Sequence, residues 1–249
     1  MSRPLLVLER LQKAYGALKV SDGVDLAIAA GETHAVIGPN GAGKTTLINQ
    51  ISGAVRPDAG RIVFSGHDVT ELAMPARAHL GLARSFQLTR ILPRFTALEN
   101  VALAVQARAG SSFTFWRPAA QEEQLNRPAL EALQVVGLRA RASTPAGALS
   151  HGEKRRLELA IGLAQTPKLL LLDEPMAGVG AEETRGLVET LKGLKGRATL
   201  VLVEHDMAAV FALADRISVL VEGRIIATGS PDAVRADPKV RAAYLGEAA

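Results

Sequence analysis

The chain has 249 residues, of which 48% are hydrophobic, 4% aromatic and 22% charged, with no cysteine and a formal net charge of +4. The length fits one large domain with an aliphatic core. The absence of cysteine excludes disulfides, thiolate-ligated zinc and thiol catalysis. The basic residues are spread along the chain, so a nucleic-acid partner is not expected, and Lys154-Arg155-Arg156 is the dense patch.

In chain order, Leu5 to Leu11, Val24 to Ile28 and Arg61 to Phe64 predict strands separated by glycine-containing turns, an antiparallel N-terminal unit. Within it, Thr33 to Ile37 is a continuous apolar run, the pattern of a parallel strand buried on both faces. It leads into Gly38-Pro39-Asn40-Gly41-Ala42-Gly43-Lys44-Thr45, followed by Thr46 and a helix from Thr45 to Ser52. This fits G-x-x-x-x-G-K-[ST] throughout and lies between a strand and a helix. Glycines let backbone N–H groups turn toward phosphate oxygens, and the helix presents its positive end to the same anion. Lys44 supplies a full charge and Thr45 a hydroxyl for Mg²⁺. The motif predicts a nucleoside triphosphate without separating an ATPase from a GTPase or a small-molecule kinase.

From about Thr96 to Gly137 the pattern is helical, with helices expected over Ala97 to Ala109 and Pro128 to Val136 around an aromatic loop, Phe113 to Trp116. Leu149-Ser150-His151-Gly152-Glu153 has the form of a capping box before an apolar helix. Gly152 and the three cations after Glu153 are poor choices for a first helical turn, and both suit a helix end that receives an anion.

Leu169 to Leu172 is a second buried run ending in Asp173-Glu174, a pair costly to bury without a cation. Asp173 is placed to hold Mg²⁺, and Glu174 to orient or deprotonate the attacking water. Thr199 to Val203 is a third such run, ending in Glu204-His205. Ligands of open α/β sheets bind beyond the carboxyl ends of the strands, so all three ends are expected to line one crevice. Ile217 to Val221 and Arg224 to Thr228 flank Glu222-Gly223, a hairpin signal. No run approaches the roughly 18 apolar residues of a membrane span, and a soluble chain is expected.

With these motifs in this order, the sequence resembles the ABC ATPase family over essentially its whole length. The resemblance implies an α/β fold: a P-loop NTPase core with a mixed sheet, an N-terminal antiparallel β subdomain and a helical insertion subdomain at about 88–165, with a short helical tail at about 231–249. Leu149 to Glu153 stands where the family has its LSGGQ signature, with His151 and Glu153 as departures. Two cassettes would pair head to tail, with Ser150 and Gly152 reaching the γ-phosphate of ATP held by the other. Tyr15 is similar to the aromatic that stacks on adenine, Gln87 to the Q-loop glutamine near Mg²⁺ and water, and His205 to the switch histidine. Gly180 stands where the family usually has the D-loop aspartate, which puts symmetric coupling of the two sites in question.

Finer features, namely Arg84-Ser85-Phe86-Gln87, the aromatic loop, Met176-Ala177-Gly178 and the tail Asp237 to Gly246, resemble the ATPases of branched-chain amino acid importers. That implies ATP hydrolysis at the cytoplasmic face of the inner membrane. It also implies a homodimer or a heterodimer with a related ATPase, two integral membrane permease subunits and an extracytoplasmic solute-binding protein. Lipopolysaccharide-export ATPases are the runner-up. A soluble non-transport ABC ATPase is a third reading, though neither a long heptad insertion nor a second cassette is present.

Overall fold

The computed structural model describes residues 3–84, 91–109 and 123–245. Gln87, the Phe113 to Trp116 loop and the chain beyond 245 lie outside them.

Among the described residues the strands form two sheets. The larger has order β10-β9-β3-β8-β7-β6 and the smaller β2-β1-β4-β5. In the larger sheet β3 (Thr33–Ile37), β8 (Thr199–Val203) and β7 (Leu169–Asp173) are parallel neighbours, and every residue in them is buried. β6 (Leu82–Arg84) extends the sheet beyond β7, and β9 (Arg216–Val221) runs parallel on the other side of β3.

Period-two alternation divides each of these strands between two apolar layers. Leu169 and Leu171 face one core with Val201, Val203 and helix α1 (Lys44–Ser52). Leu170 and Leu172 face the other with Leu200, Leu202 and the helices α3 (Ala97–Ala109), α4 (Glu123–Val135), α5 (His151–Ala164) and α6 (Ala181–Lys192). Each such leucine is at most 2% exposed, and burial of a leucine side chain stabilises by roughly 1.5–3 kcal/mol. The run Leu169–Leu172 therefore fixes the middle of the sheet.

The smaller sheet, β1 (Leu6–Tyr15), β2 (Leu18–Ile28), β4 (Ala59–Phe64) and β5 (His67–Asp68), is antiparallel. It closes over α1 through Leu6, Leu8, Leu11 and Ile28. β1 and β2 run longer than their apolar patterns suggest. Tyr15 pairs with Leu18 across a two-residue turn in which Gly16 has φ +60°. β10 (Arg224–Gly229) pairs antiparallel with β9, with Glu222 and Gly223 at φ +48° and +75° in the turn, as the hairpin signal requires.

α4 differs from expectation. Pro128 lies inside it rather than at its start. A proline interior to a helix forfeits a bond, but burial of Leu125, Ala129, Ala132 and Leu133 at one-face spacing outweighs that loss. The remaining α-helices among the described residues are α2 (Met74–His79), α7 (Met207–Leu213), α8 (Pro231–Ala236) and the short α9 (Pro238–Val240), which a π-helical turn over Arg241–Leu245 continues.

Candidate nucleotide-binding and hydrolysis site

The parallel neighbours β3, β8 and β7 all end in one place, and each end opens into residues that carry charge or bare backbone. After β3, the loop from Gly38 to Gly43 leads into α1. Two of its glycines are obligatory for steric reasons. At Gly43, φ is +102° and an added Cβ would lie 2.1 Å from Val20 O. At Gly38 a Cβ would lie 2.0 Å from Leu220 O. The loop is thus wedged between β2 and the end of β9, and Gly223 N donates to Ala42 O at 3.0 Å. Gly43 is also the N-cap of α1 and provides no side-chain cap, so the helix's first N–H groups are left to an anion.

Lys44 is 7% exposed. Its Nζ donates to Gly38 O at 2.7 Å and Pro39 O at 2.9 Å, which folds the ammonium back over the loop. Burial lowers its pKa, opposed by the charges of Glu174 and Asp173. Lys44 therefore sits in the field of both carboxylates at the end of β7.

Asp173 is 1% exposed. Its Oδ2 accepts from Arg84 Nη2 at 3.0 Å, while Oδ1 is buried without a hydrogen-bond partner among the described residues. Burial raises its pKa, with Arg84 pulling the other way. An orphaned carboxylate oxygen beside the phosphate loop fits a hard, oxygen-seeking cation such as Mg²⁺. No cluster of three or more His, Cys, Asp or Glu suited to a metal occurs among the described residues, so such an ion would draw on Asp173, a hydroxyl and the nucleotide itself.

Glu174 has φ +48°, an uncommon conformation for a residue with a branching carboxylate arm, and its N–H donates to Val203 O at 2.8 Å. The sheet holds it there, turning the carboxylate out of the strand toward Lys44. At the end of β8, His205 has a side chain that is 61% exposed. Beneath it Glu204, the other member of that strand-end pair, is fully buried, which the sequence does not reveal. Arg84, in the run Arg84-Ser85-Phe86-Gln87, places its guanidinium between the acidic strand end and α1. One nitrogen holds Asp173, and another donates to Asn49 Oδ1 on α1.

Tyr15 is 52% exposed on the strand pair that borders the loop, with Lys13 Nζ 5.6 Å from its ring centroid. Its open face is available for stacking.

The capping box at α5 is formed in full. Ser150 Oγ accepts from Glu153 N at 3.2 Å, and Glu153 Oε2 accepts from Ser150 N at 2.8 Å. The bond from Ser150 N holds the Glu153 carboxyl below its ordinary range, with help from Arg141 and Arg156. The unusual first turn has local reasons besides an anion. A Cβ at Gly152 would lie 2.5 Å from Glu183 Oε1 on α6, and Arg155 pairs with Glu158 at 3.2 Å. Gly180 is the N-cap of α6, a position glycine fills with little loss but without a carboxylate. None of the described hydrogen bonds or ion pairs links Ser150 or Gly152 to the Gly38 to Thr45 loop.

A glycine-rich loop between a buried strand and a helix, an acidic strand end and a fully capped helix on this two-sheet frame have the arrangement of an ATP-binding cassette. The family model described as ABC transporter matches residues 21–177, and the chain belongs to that family; it is an ATP-hydrolysing cassette. A second model, described as branched-chain amino acid ATP-binding cassette transporter, matches residues 224–249. The chain is 36% identical over 255 residues to the high-affinity branched-chain amino acid transport ATP-binding protein BraF of Pseudomonas aeruginosa, covering 100% of both. It is 38% identical over 256 residues to LivG of Salmonella typhimurium, which bears the same description, again covering 100% of both. The lipopolysaccharide export system ATP-binding protein LptB of Haemophilus influenzae is 34% identical, covering 98% of both. Among solved structures, the ADP conformation of MJ1267, an ATP-binding cassette of an ABC transporter, superimposes with a TM-score of 0.86 at 31% identity, covering 98% of this chain and 100% of that one. The dimeric post-hydrolysis state of the cassette MJ0796 bound to ADP and phosphate gives 0.78 at 26% identity, covering 91% of this chain and 98% of that one.

Proposed function

We propose that this chain is the ATPase subunit of a branched-chain amino acid importer, acting in a dimer of cassettes beneath two permease subunits at the cytoplasmic face of the membrane. The observation that carries the solute class is the tail. Residues 224–249 match the model specific to branched-chain amino acid cassettes, in a segment outside the general cassette match. Full-length relatedness to BraF and LivG supports the same reading. No helix among the described residues is long and apolar enough to cross a membrane, so a membrane role would come through partners. An extracytoplasmic solute-binding protein completes such a system.

The chemistry follows from the strand ends. Backbone N–H groups between Gly38 and Thr46, Pro39 excepted because it has none, and the Lys44 ammonium hold the triphosphate, and Tyr15 stacks on adenine. Thr45 and Asp173 would hold Mg²⁺, with Gln87 from outside the described residues. When bound, the ion would supply positive charge to the triphosphate. Glu174, aimed by its positive φ, accepts a proton from the water that attacks the γ-phosphorus, while the bond from that phosphorus to the β–γ bridging oxygen breaks and ADP leaves. His205 donates to a γ-phosphate oxygen. Ser150 and the backbone at Gly152 reach the same phosphate from a second cassette, so each active centre needs two chains. The region at about 88–165 serves as the helical subdomain and about 231–249 as the tail.

Affinity purification from native membranes, followed by an ATPase assay with and without a leucine-loaded solute-binding protein, tests this. Co-purification of two permeases with solute-stimulated turnover is the expected result. Co-purification with lipopolysaccharide-extraction permeases instead would transfer the chain to the LptB class.

A further inference from the structure

Glu204 is the fully buried carboxylate at the end of β8, and its partners are backbone. Oε1 accepts from Met176 N at 2.7 Å, and Oε2 accepts from His205 N at 3.0 Å and Asp206 N at 3.4 Å. The side-chain ion pair recorded for it among the described residues is with His205, whose Nδ1 stands 3.7 Å from Oε2, beyond hydrogen-bond reach. A buried carboxylate held by N–H groups rather than by a cation carries a large desolvation cost. A threonine or an apolar residue would finish the strand at less cost.

The two ends of this carboxylate lie on different loops. Met176 begins the turn after Asp173-Glu174 that leads through Gly178 to Gly180 at the start of α6, and His205 begins the turn after β8. We propose that Glu204 is a positioning residue that locks the Glu174 loop to the His205 loop, so that both approach the γ-phosphate as one unit. Backbone pairing between β7 and β8 runs out at Asp173 and Val203, with Glu174 N donating to Val203 O as the last rung. Beyond that rung Glu204 bridges the two chains where the sheet no longer does. Gly180 offers no carboxylate of its own, so the anchor for this loop comes from the neighbouring strand. The inference rests on the roles proposed above for Glu174 and His205.

The test compares Glu204→Gln, Glu204→Asp, His205→Ala and the Glu204→Gln/His205→Ala double variant in the assembled transporter, with amide exchange at Met176 and His205 in the full chain. Glutamine has one acceptor oxygen, so one of the two loops loses its anchor at nearly unchanged volume. The expected result for Glu204→Gln is a kcat lowered by about tenfold or more with KM within about threefold, and faster exchange at Met176 or His205. Adding it to His205→Ala should cost nothing further, because both act through one unit. Glu204→Asp, which keeps both oxygens on a shorter arm, should fall between parent and Glu204→Gln, and it keeps the test decisive if glutamine disturbs folding. Parent-like turnover in Glu204→Gln, or losses that multiply in the double variant, would overturn the lock. A rise in KM that matches the fall in kcat would also overturn it, reducing Glu204 to a general structural role. Full turnover in both His205→Ala and Glu174→Gln would instead sink the catalytic reading beneath it.

Discussion

Arg84 Nη2 donates to Asp173 Oδ2 at 3.0 Å across the paired strands β6 and β7, while Nη1 of the same guanidinium donates to Asn49 on α1. The acidic strand end and the helix behind the phosphate loop are thus held by one cation. The Arg84 and Asp173 side chains are 10% and 0% exposed. Replacing Arg84 by Met should leave the aspartate without its cation and destabilise the fold by roughly 3–5 kcal/mol, the usual cost of breaking a buried pair. Urea melts check the value, and Asp173→Asn in the same background should recover part of it.

Lys44→Ala should weaken ATP binding by roughly thirtyfold or more, since a charge-assisted contact to phosphate contributes on the order of 2 kcal/mol or more. Calorimetric titration with ATP measures it, and an unchanged dissociation constant would remove Lys44 from the phosphate site.

Glu174→Gln should cut turnover by about 10²–10⁴-fold, the range for loss of a general base, while leaving ATP binding intact. The variant should elute as a dimer in gel filtration with ATP and as a monomer without it. A variant that stays monomeric at saturating ATP would contradict closure by a second cassette.

Arg77 is 1% exposed, and its guanidinium donates to Gln50 O, Ile51 O, Leu72 O and Thr70 O, so it closes the C-terminal end of α1. Arg77→Ala would take a donor from each of these carbonyls, at about 1–3 kcal/mol for each one that no other donor or water reaches, while Gln50 O keeps its bond from Gly53 N at 3.2 Å. A total loss on the order of 3 kcal/mol or more should lower Tm by roughly 6–12 °C. Because α1 also carries Lys44, ATP affinity should weaken in the same variant.

Asp68 has its pKa lowered from 3.8 to about 2 by its bonds from Thr70 and from Arg61. Its folded-state value lies below the unfolded one, so the stabilisation is present above about pH 4 and fades as pH falls toward 2. Carboxyl chemical shifts should place its midpoint near 2, and Asp68→Asn should remove that acid-side dependence from the β4–β5 pair.

Much of the site was legible in the primary structure because its parts are contiguous. The run from Gly38 to Thr46 is a loop and helix start whose glycines, lysine and hydroxyl act within nine positions of one another. The all-apolar runs ending in Asp173 and His205 announced strands buried on both faces. The capping box needs only the spacing between Ser150 and Glu153, and it formed as written. Local chemistry of this kind survives any packing.

What spacing could not show depends on sheet order. Arg84 and Asp173 are 89 positions apart and meet because β6 pairs with β7; Met176 and Glu204 are 28 apart and meet because β7 pairs with β8. The closeness of Glu183 to Gly152 likewise depends on where the start of α6 meets the start of α5. A buried arginine or glutamate looks like any surface charge until its strand's neighbours are known, because burial and partners are properties of the packed sheet, not of the residue.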